Sequence, residues 1–351
     1  MRPHTTCSTD VIDASEATRS PVRAIEVFAP PWWLPGAHLQ TIAPALFAAR
    51  PSVGYTRERW ITPDDDFIDV DCVAPLAAAH GAGTTPTLVV FHGLEGSAQS
   101  RYVRDLMAAA AARGWRGVAP HFRGCGGTLN RAPRFYHSGD SGEVDWILER
   151  AARSSADAAD SHAPLFAVGV SLGGNALLKW LGEQGQAARV RVTRAAAISA
   201  PLDLTASGAA LSRGLNMVYT RVFLRTLKAK SAAKLAQYPK LFDRDAMLAA
   251  RDLHAFDDIV TAPLHGFRDA DDYWRRASSK PLLPRIAVPT LVLNAKNDPF
   301  LPAAALPDAS EVSTAVTLDF PDEGGHVGFF DPRFLHGDWM TARVMDFLTR
   351  G

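Results

Sequence analysis

The chain has 351 residues, of which 47% are hydrophobic and 21% are charged. Its 37 Lys and Arg residues balance its 37 Asp and Glu residues, so the formal net charge is zero. This composition excludes an intrinsically disordered chain and offers no excess positive charge for nucleic-acid binding. Three cysteines, Cys7, Cys72 and Cys125, are too few and too scattered for a disulfide framework or a cysteine-rich zinc site, which favours a reducing, cytoplasmic setting.

The first predicted elements follow a polar stretch. Residues 1–21 have no hydrophobic periodicity and are predicted to form a flexible tail, without the apolar run of a signal peptide. Residues 57–73 contain two alternating runs separated by Pro63-Asp64-Asp65-Asp66, a pattern that predicts a β-hairpin. The continuous apolar run at 87–91 then predicts a strand that is buried on both faces of a parallel sheet.

Helices and strands alternate from this point. Helices are predicted at 100–113, 143–152 and 172–184, and strands at 117–122, 165–170 and 192–199. Such alternation predicts an α/β fold whose sheet is mostly parallel and carries helices on both faces.

The alternation is interrupted between residues 201 and 286, where the pattern is helical and contains no clear buried strand. Strands resume at 290–295 and 315–320, and a closing helix is predicted near 339–348. Because structureless connections longer than about 15 residues are uncommon, residues 201–286 are predicted to be a helical cap. The cap is inserted before an acid-bearing strand, into a core made of residues 22–200 and 287–351.

A candidate nucleophile lies in Gly169-Val170-Ser171-Leu172-Gly173, between a predicted strand and a predicted helix. The G-x-S-x-G pattern in that setting is typical of a strained turn that exposes the serine hydroxyl. The alternative is an ordinary glycine-rich turn with no chemistry. A serine hydroxyl needs a base to take its proton, and the base needs an acid to orient it.

For the base and the acid, the sequence offers two residues each. His326 follows the predicted strand at 315–320, while His336 lies ten residues later, so His326 is the favoured base. Asp298 directly follows the strand at 290–295 and is the favoured acid. Its rival is Asp203, which follows the strand at 192–199 and could instead be the N-cap of a helix.

An oxyanion formed at the serine needs backbone N–H donors that are fixed in advance. The predicted donors are Leu172, after the nucleophile, and Leu94, in the loop after the strand at 87–91. His92 is interpreted as a structural ring in that loop, and Cys125 as a buried thiol without a paired base. The chain has neither a metal-spaced His/Glu pair nor a phosphate-binding glycine motif, so no metal and no cofactor are expected.

A set of short motifs spread over residues 38–330 resembles the YheT-like branch of the α/β-hydrolases. The motifs are His38-Leu39-Gln40-Thr41, HGLEGS at 92–97, HFRGCGG at 121–127, Tyr136-His137-Ser138-Gly139, GVSLGGN at 169–175, FDDIVTAPLHGF at 256–267, Asp298 and GGHVGFF at 324–330. The resemblance implies an α/β-hydrolase fold and a charge relay of Ser171, Asp298 and His326. It also implies a carboxylic ester hydrolase, related to eukaryotic lipases that act on acylglycerols and phospholipids.

The function expected from the sequence is therefore a serine carboxylic ester hydrolase that forms an acyl-enzyme on acyl or lipid-like esters. Its partner would be a small-molecule ester, with no nucleic acid. Two alternatives stay open: an acyltransferase that uses the same three residues, and a non-catalytic binding protein on a hydrolase fold.

The predicted cap has a segregated charge pattern. Residues 204–242 contain no Asp or Glu, and they carry seven cations: Arg213, Arg221, Arg225, Lys228, Lys230, Lys234 and Lys240. Residues 243–272 hold eight acidic residues against three basic ones. Two interpretations stay open. The cations form a solvated face that pairs with the acidic stretch, or they form a cationic, apolar surface for anionic lipid.

Overall fold

The computed structural model describes residues 27–48, 50–76, 84–156, 163–331 and 339–350. The predicted tail at 1–21 and the alternative base His336 lie outside the described residues.

The described residues form one sheet of eight strands. The strands are β1 Thr56–Ile61, β2 Phe67–Val73, β3 Thr87–Phe91, β4 Arg116–Pro120, β5 Leu165–Val170, β6 Arg194–Ile198, β7 Thr290–Leu293 and β8 Val316–Asp319. Their order across the sheet is β1-β2-β4-β3-β5-β6-β7-β8. β2 pairs antiparallel with β1 and β4, and all neighbouring strands from β4 to β8 pair in parallel.

Helices connect these strands and cover the sheet. They are α1 Ala37–Phe47, α2 Arg101–Ala112, α3 Ser141–Ala156, α4 Leu172–Gln184, α5 Leu204–Leu211, α6 Met217–Gln237, α7 Arg244–Ala249, α8 Leu253–Phe256, α9 Ala262–Leu264, α10 Ala270–Ala277 and α11 Trp339–Thr349. A π-helical turn, Asp257–Thr261, joins α8 to α9. No helix among the described residues is both long enough and apolar enough to span a bilayer.

The core has two layers, one on each face of the sheet. β3 and β5 are buried along their whole length, as their continuous apolar runs predict. On one face they pack against α3 and α4, through side chains such as Ile147 and Leu177. On the other face they pack against α2 and α11, through side chains such as Leu106 and Val344. The predicted α/β-hydrolase fold, a mostly parallel sheet with helices on both faces, is confirmed.

The elements agree with the sequence patterns except near the start of the chain. The predicted hairpin is formed by β1 and β2, whose turn is closed by a hydrogen bond from the Thr62 N–H to the Asp66 carbonyl. α1 has no counterpart among the predicted elements. Its buried side is formed by Gln40 and Pro44, so no apolar stripe marks the side that packs on the protein.

The segment between β6 and β7 is built of helices α5 to α10. Part of it has an apolar cluster of its own, which includes Leu224, Met247, Phe256 and Val260. Four of its helices begin at an aspartate whose side chain accepts backbone N–H bonds, namely Asp203 for α5, Asp243 for α7, Asp252 for α8 and Asp269 for α10. We call this helical segment the cap.

Candidate active site

Ser171 occupies a strained turn between β5 and α4, at the carboxyl end of the central strands. Its φ angle is 52°, in the left-handed region that residues with a Cβ rarely adopt. Two glycines make the turn possible. A Cβ on Gly169 would lie 2.4 Å from the Gly173 carbonyl oxygen, and a Cβ on Gly173 would lie 2.5 Å from the His92 carbonyl oxygen. The turn therefore requires glycine at both positions.

The structure brings Ser171, His326 and Asp298 into one hydrogen-bonded chain. The Nε2 atom of His326 lies 3.1 Å from the Ser171 Oγ, and its Nδ1 lies 2.8 Å from the Asp298 Oδ2. The other carboxylate oxygen of Asp298 accepts a 2.8 Å bond from the Phe300 N–H. Asp298 is buried, which shields its carboxylate from water and fixes its orientation toward the imidazole.

The loops that carry Asp298 and His326 are held by α1. The Thr41 hydroxyl accepts a 2.9 Å bond from the His326 N–H, and it donates to the Ala37 carbonyl. The Gln40 Oε1 accepts bonds from the Asn297 side chain and from the Gly324 N–H. Gln40 and Thr41 were not predicted to be site residues. Hydrophobic periodicity gives no signal for them, and the sequence signal that could have found them is their place in the His38-Leu39-Gln40-Thr41 motif.

Two backbone N–H groups beside Ser171 are free to bind an oxyanion. Within the described part of the chain, neither Leu94 nor Leu172 donates its N–H to another group, while the two N–H groups that flank Leu94 are committed. The Gly93 N–H donates to the Tyr102 hydroxyl, and the Glu95 N–H donates to the Tyr136 hydroxyl. Leu172 is the first residue of α4, where helical N–H groups have no partner in the helix.

A pocket opens above this cluster, between the core and the cap. Ser171, His326, Leu94 and Leu172 all line it. Its other lining side chains are mainly apolar, and they include Leu204, Leu211, Phe223, Leu227, Leu253, Phe256, Val260, Leu264, Phe300 and Leu301. The Phe300 ring also stacks on His326, with 4.2 Å between the ring centres. A bound molecule would therefore place apolar surface in the cap and a reactive atom at Ser171.

Comparison with known proteins shows the family. Residues 86–332 match the family described as "alpha/beta hydrolase fold". The chain is 41% identical over 316 residues to "Putative esterase YheT" of Escherichia coli (strain K12), which covers 89% of this chain and 90% of that protein. The chain belongs to the α/β-hydrolase family. It falls in the YheT-like branch, as the motifs indicate.

Two further matches of this hydrolase have lower identity. It is 29% identical to "Phospholipase ABHD3" of Mus musculus over 318 residues, which are 90% of this chain and 74% of that protein. Among solved structures, an esterase from Exiguobacterium antarcticum superposes with a TM-score of 0.52 at 16% identity, over 84% of this chain and 100% of that one. At that identity the second match shows the fold alone.

Three other candidate residues of the hydrolase have structural surroundings, and Asp203, the alternative acid, is the first. Asp203 accepts a 3.0 Å bond from the Ala206 N–H as the N-cap of α5, and His326 contacts Asp298 instead.

His92 is buried, and burial lowers its pKa to about 3. The neutral ring accepts a bond from the Phe122 N–H and lies 2.7 Å from the Gly93 carbonyl, so it braces the loop that carries Leu94. Burial raises the pKa of the Cys125 thiol to about 11, which keeps it protonated.

Two cap lysines of α6 point inward and bind the core. The Lys230 Nζ lies 2.9 Å from the Glu95 carboxylate, in the loop next to Leu94. Lys234 is fully buried, donates to the Asn130 and Ala132 carbonyls, and has its pKa lowered to about 8 by desolvation. In the sequence, both lysines belong to the set of seven cations in residues 204–242. They instead attach the cap to the core beside the candidate site.

One of the two interpretations expects these cations to pair with the acidic stretch, and among the described residues none of them forms an ion pair with residues 243–272. Among the described residues, one of the seven cap cations forms an ion pair, Lys230 with the core residue Glu95. Lys228 donates to the Leu248 and Ala250 carbonyls. The acidic residues are used elsewhere, for example Asp272, which pairs with Arg275 and Arg276 on its own helix.

Asp257 places a carboxyl group in the cap side of the pocket. Its oxygens accept bonds from the Thr261 hydroxyl and the Trp274 indole N–H. Burial nevertheless raises the pKa of Asp257 from 3.8 to about 6, because desolvation outweighs these two bonds. The folded protein therefore binds a proton here more tightly than the unfolded chain. The stability that the neutral acid contributes is present at low pH and is lost as the pH rises through about 6.

Replacing Asp257 with Asn should remove this pH dependence. As the pH rises from about 4.5 to about 7.5, the wild type should lose about 2 kcal/mol of unfolding free energy that the Asp257→Asn protein does not lose. Urea unfolding at the two pH values measures the difference. The matched control is Asp245→Asn, a change to a solvent-exposed side chain on α7. A difference between the Asp257→Asn and wild-type proteins that shrank as the pH rose would contradict the assignment.

Proposed function

We propose that the protein is a serine carboxylic ester hydrolase that works through a covalent acyl-enzyme. The observation that carries the proposal is the hydrogen-bonded chain Ser171, His326 and Asp298, which opens into the apolar pocket under the cap. Membership of the α/β-hydrolase family, and the names of the relatives, support hydrolysis of esters.

In the first half of the reaction, the Ser171 Oγ attacks the ester carbonyl carbon as its proton passes to the Nε2 of His326. Asp298 holds the Nδ1–H of the ring and stabilises the imidazolium that forms. The carbonyl oxygen becomes an oxyanion, for which the free N–H groups of Leu94 and Leu172 are the donors. The C–O bond to the alcohol then breaks, and His326 gives its proton to the leaving alcohol.

In the second half, water attacks the acyl-enzyme by the same route. His326 takes a proton from the water, the oxyanion forms again, and the carboxylic acid leaves as the proton returns to the Ser171 oxygen. No other charged group is required to contact the reacting atoms. Glu95 and Lys230 lie at the side of the pocket, where their ion pair supports the loop that carries Leu94.

The pocket favours a substrate with an apolar acyl group. Phe223, Leu227, Phe256 and Val260 of the cap would contact an acyl chain attached to Ser171. The phospholipase name of ABHD3 agrees with a lipid-like ester as substrate. Each buried methylene is worth about 0.8 kcal/mol, so chain length should affect the rate strongly as long as the pocket has room.

A series of p-nitrophenyl esters tests this substrate class. We expect kcat/KM to rise by at least about 10-fold from the acetate to a medium-chain ester, and to rise no further once the chain exceeds the pocket. Shortening the pocket with Val260→Phe should move the optimum to a shorter chain, and Val218→Phe, on the outer surface of α6, is the matched control. A rate that is independent of chain length would contradict an acyl-binding role for the pocket.

The two alternatives are distinguished by their products. An acyltransferase would pass the acyl group to an added alcohol in preference to water, which product analysis in the presence of glycerol or methanol would show. A non-catalytic binding protein would bind esters without turnover. The assembled Ser171, His326 and Asp298 geometry supports hydrolysis over simple binding.

The interpretation of the cap cations as a surface for anionic lipid stays a prediction, and it applies to four of the seven cations. Of the cap cations, Arg213, Arg221, Arg225 and Lys240 are exposed. Lys230 and Lys234 are not available to a membrane, because they bind the core.

A further inference from the structure

The outward face of α1 is apolar, and its inward face is polar. Leu39, Ile42 and Leu46 follow one another at i, i+3 and i+7, and all three are exposed. Gln40 and Thr41 point the other way and bind the loops of Asp298 and His326. A surface helix of a globular protein normally has the opposite arrangement. An exposed apolar face of this kind is typical of a surface that binds a partner.

Aromatic side chains extend this surface at both ends of α1. Trp32, just before the helix, is 91% exposed, and Phe47, its last residue, is 83% exposed. Trp33 is half exposed and lies edge-on to Phe330, in the segment that follows His326. Exposed tryptophans of this kind are typical of protein surfaces that meet the boundary between lipid and water.

The start of α6 continues the surface on the cap. Val218, Arg221, Val222 and Arg225 share one exposed face of the helix, so apolar and basic side chains alternate there. The two helices are neighbours, because the His38 ring stacks on Tyr219 and its Nδ1 lies 3.1 Å from the Tyr219 hydroxyl. We call the exposed side chains of these two helices and of the Trp32-Trp33 turn the outer face. They are Trp32, Trp33, Leu39, Ile42, Leu46, Phe47, Val218, Arg221, Val222 and Arg225.

Of the ten side chains of the outer face, two are arginines and none is acidic. Residues 27–50 and 204–242 contain no Asp or Glu. The adjoining loop holds two acidic residues, Asp322, which pairs with Lys296, and Glu323, which accepts a bond from the Gln40 side chain. Apolar surface bordered by unneutralised arginines is complementary to a bilayer that contains anionic lipid.

We propose that the outer face docks the protein on the surface of a membrane that contains anionic lipid. Docking would be peripheral, with Trp32, Leu46 and Phe47 entering the headgroup region and Arg221 and Arg225 contacting lipid phosphate. A second copy of the chain is a poorer occupant, because a symmetric contact would bring the same arginines together without acidic partners. The purpose of docking, the delivery of a lipid-like ester, rests on the proposed function, whereas docking itself does not.

The outer face lies next to the candidate active site. The Thr41 hydroxyl on the inward side of α1 holds the His326 N–H, and Tyr219 on α6 contacts Phe300, which stacks on the His326 ring. Phe223 and Phe300 line the pocket. An ester that leaves the bilayer at the outer face would therefore have a short path to Ser171.

Vesicle sedimentation with the full chain tests the proposal. The probes are vesicles of phosphatidylcholine alone and vesicles that also contain about 30% phosphatidylglycerol. We expect tighter binding to the anionic vesicles, weakened by salt. The triple change W32S/L46S/F47S and the double change R221E/R225E should each lower the partition coefficient by at least about 10-fold. The matched control is L76S/V190S, two residues that are as exposed as these but lie at the amino ends of the parallel strands, at the end of the sheet opposite Ser171.

Turnover of p-nitrophenyl acetate, a soluble ester, separates docking from folding and from chemistry. All three variants should keep wild-type turnover, because none of the changed side chains lines the pocket. Ser171→Ala should bind vesicles as the wild type does, because docking does not need the hydroxyl. Wild-type protein that docks but hydrolyses no ester would refute the proposed function and leave docking intact. Absence of vesicle binding, or equal losses in the control and the outer-face variants, would overturn the proposal. So would a dimer in light scattering that W32S/L46S/F47S dissociates, because the outer face would then be an interface between copies.

Discussion

Replacing Ser171 with alanine is expected to lower kcat for ester hydrolysis by at least about 10³-fold while the fold is retained. The lost hydroxyl is the attacking atom, so its removal affects transition-state chemistry. Packing should change little, since alanine keeps the Cβ and the strained backbone at φ 52° depends on the neighbouring glycines. Steady-state kinetics with a soluble ester, together with a thermal melt of each protein, measures both effects.

The matched control is Ser212→Ala. Its hydroxyl donates to the backbone carbonyl of Gly208 in the cap, whereas the Ser171 hydroxyl contacts His326. We expect this variant to keep kcat within a few-fold of the wild type. A folded Ser171→Ala protein with undiminished turnover would show that the nucleophile is another residue.

The second large effect is expected at the acid. Asp298→Asn should lower kcat by about 10⁴-fold, because an amide facing the Nδ1 of His326 holds the imidazole in the wrong tautomer. Asp203→Asn should have little effect on either activity or stability, since asparagine caps a helix as well as aspartate does. Both variants remove one carboxylate charge and retain the size of the side chain, so each is the control of the other.

The outcome is read from the ratio of the two kcat values. A larger loss in Asp203→Asn than in Asp298→Asn would move the acid to the end of β6. A loss confined to KM in Asp298→Asn would indicate a role in binding and not in orienting the base.

The parts of the structure that follow from local patterns could be predicted from the sequence. The run of apolar residues in β3 and β5 requires burial on both faces, so the parallel sheet follows from it. The turn at Ser171 requires two glycines, which the sequence displays. Asp298 and His326 both follow strand ends, and parallel strands bring their carboxyl ends to one edge of a sheet.

The parts that depend on long-range contacts could not be predicted. Gln40 and Thr41 are 257 and 285 residues from the groups that they bind in the Asp298 and His326 loops. Helix α1 turns its apolar side chains outward and has no apolar stripe toward the protein, so hydrophobic periodicity gives no signal for its packing. Lys230 and Lys234 look like other cations of α6 in the sequence, and only the tertiary structure shows that they enter the core.

The central claim is that Ser171 carries the acyl group. The most direct measurement is to label the wild-type protein with a fluorophosphonate, digest it, and locate the added mass by peptide sequencing in a mass spectrometer. The account predicts a single adduct on Ser171, in the peptide that contains Gly169 and Gly173, and no adduct after Asp298→Asn under the same brief exposure. An adduct on another residue, or none on active wild-type protein, would contradict it.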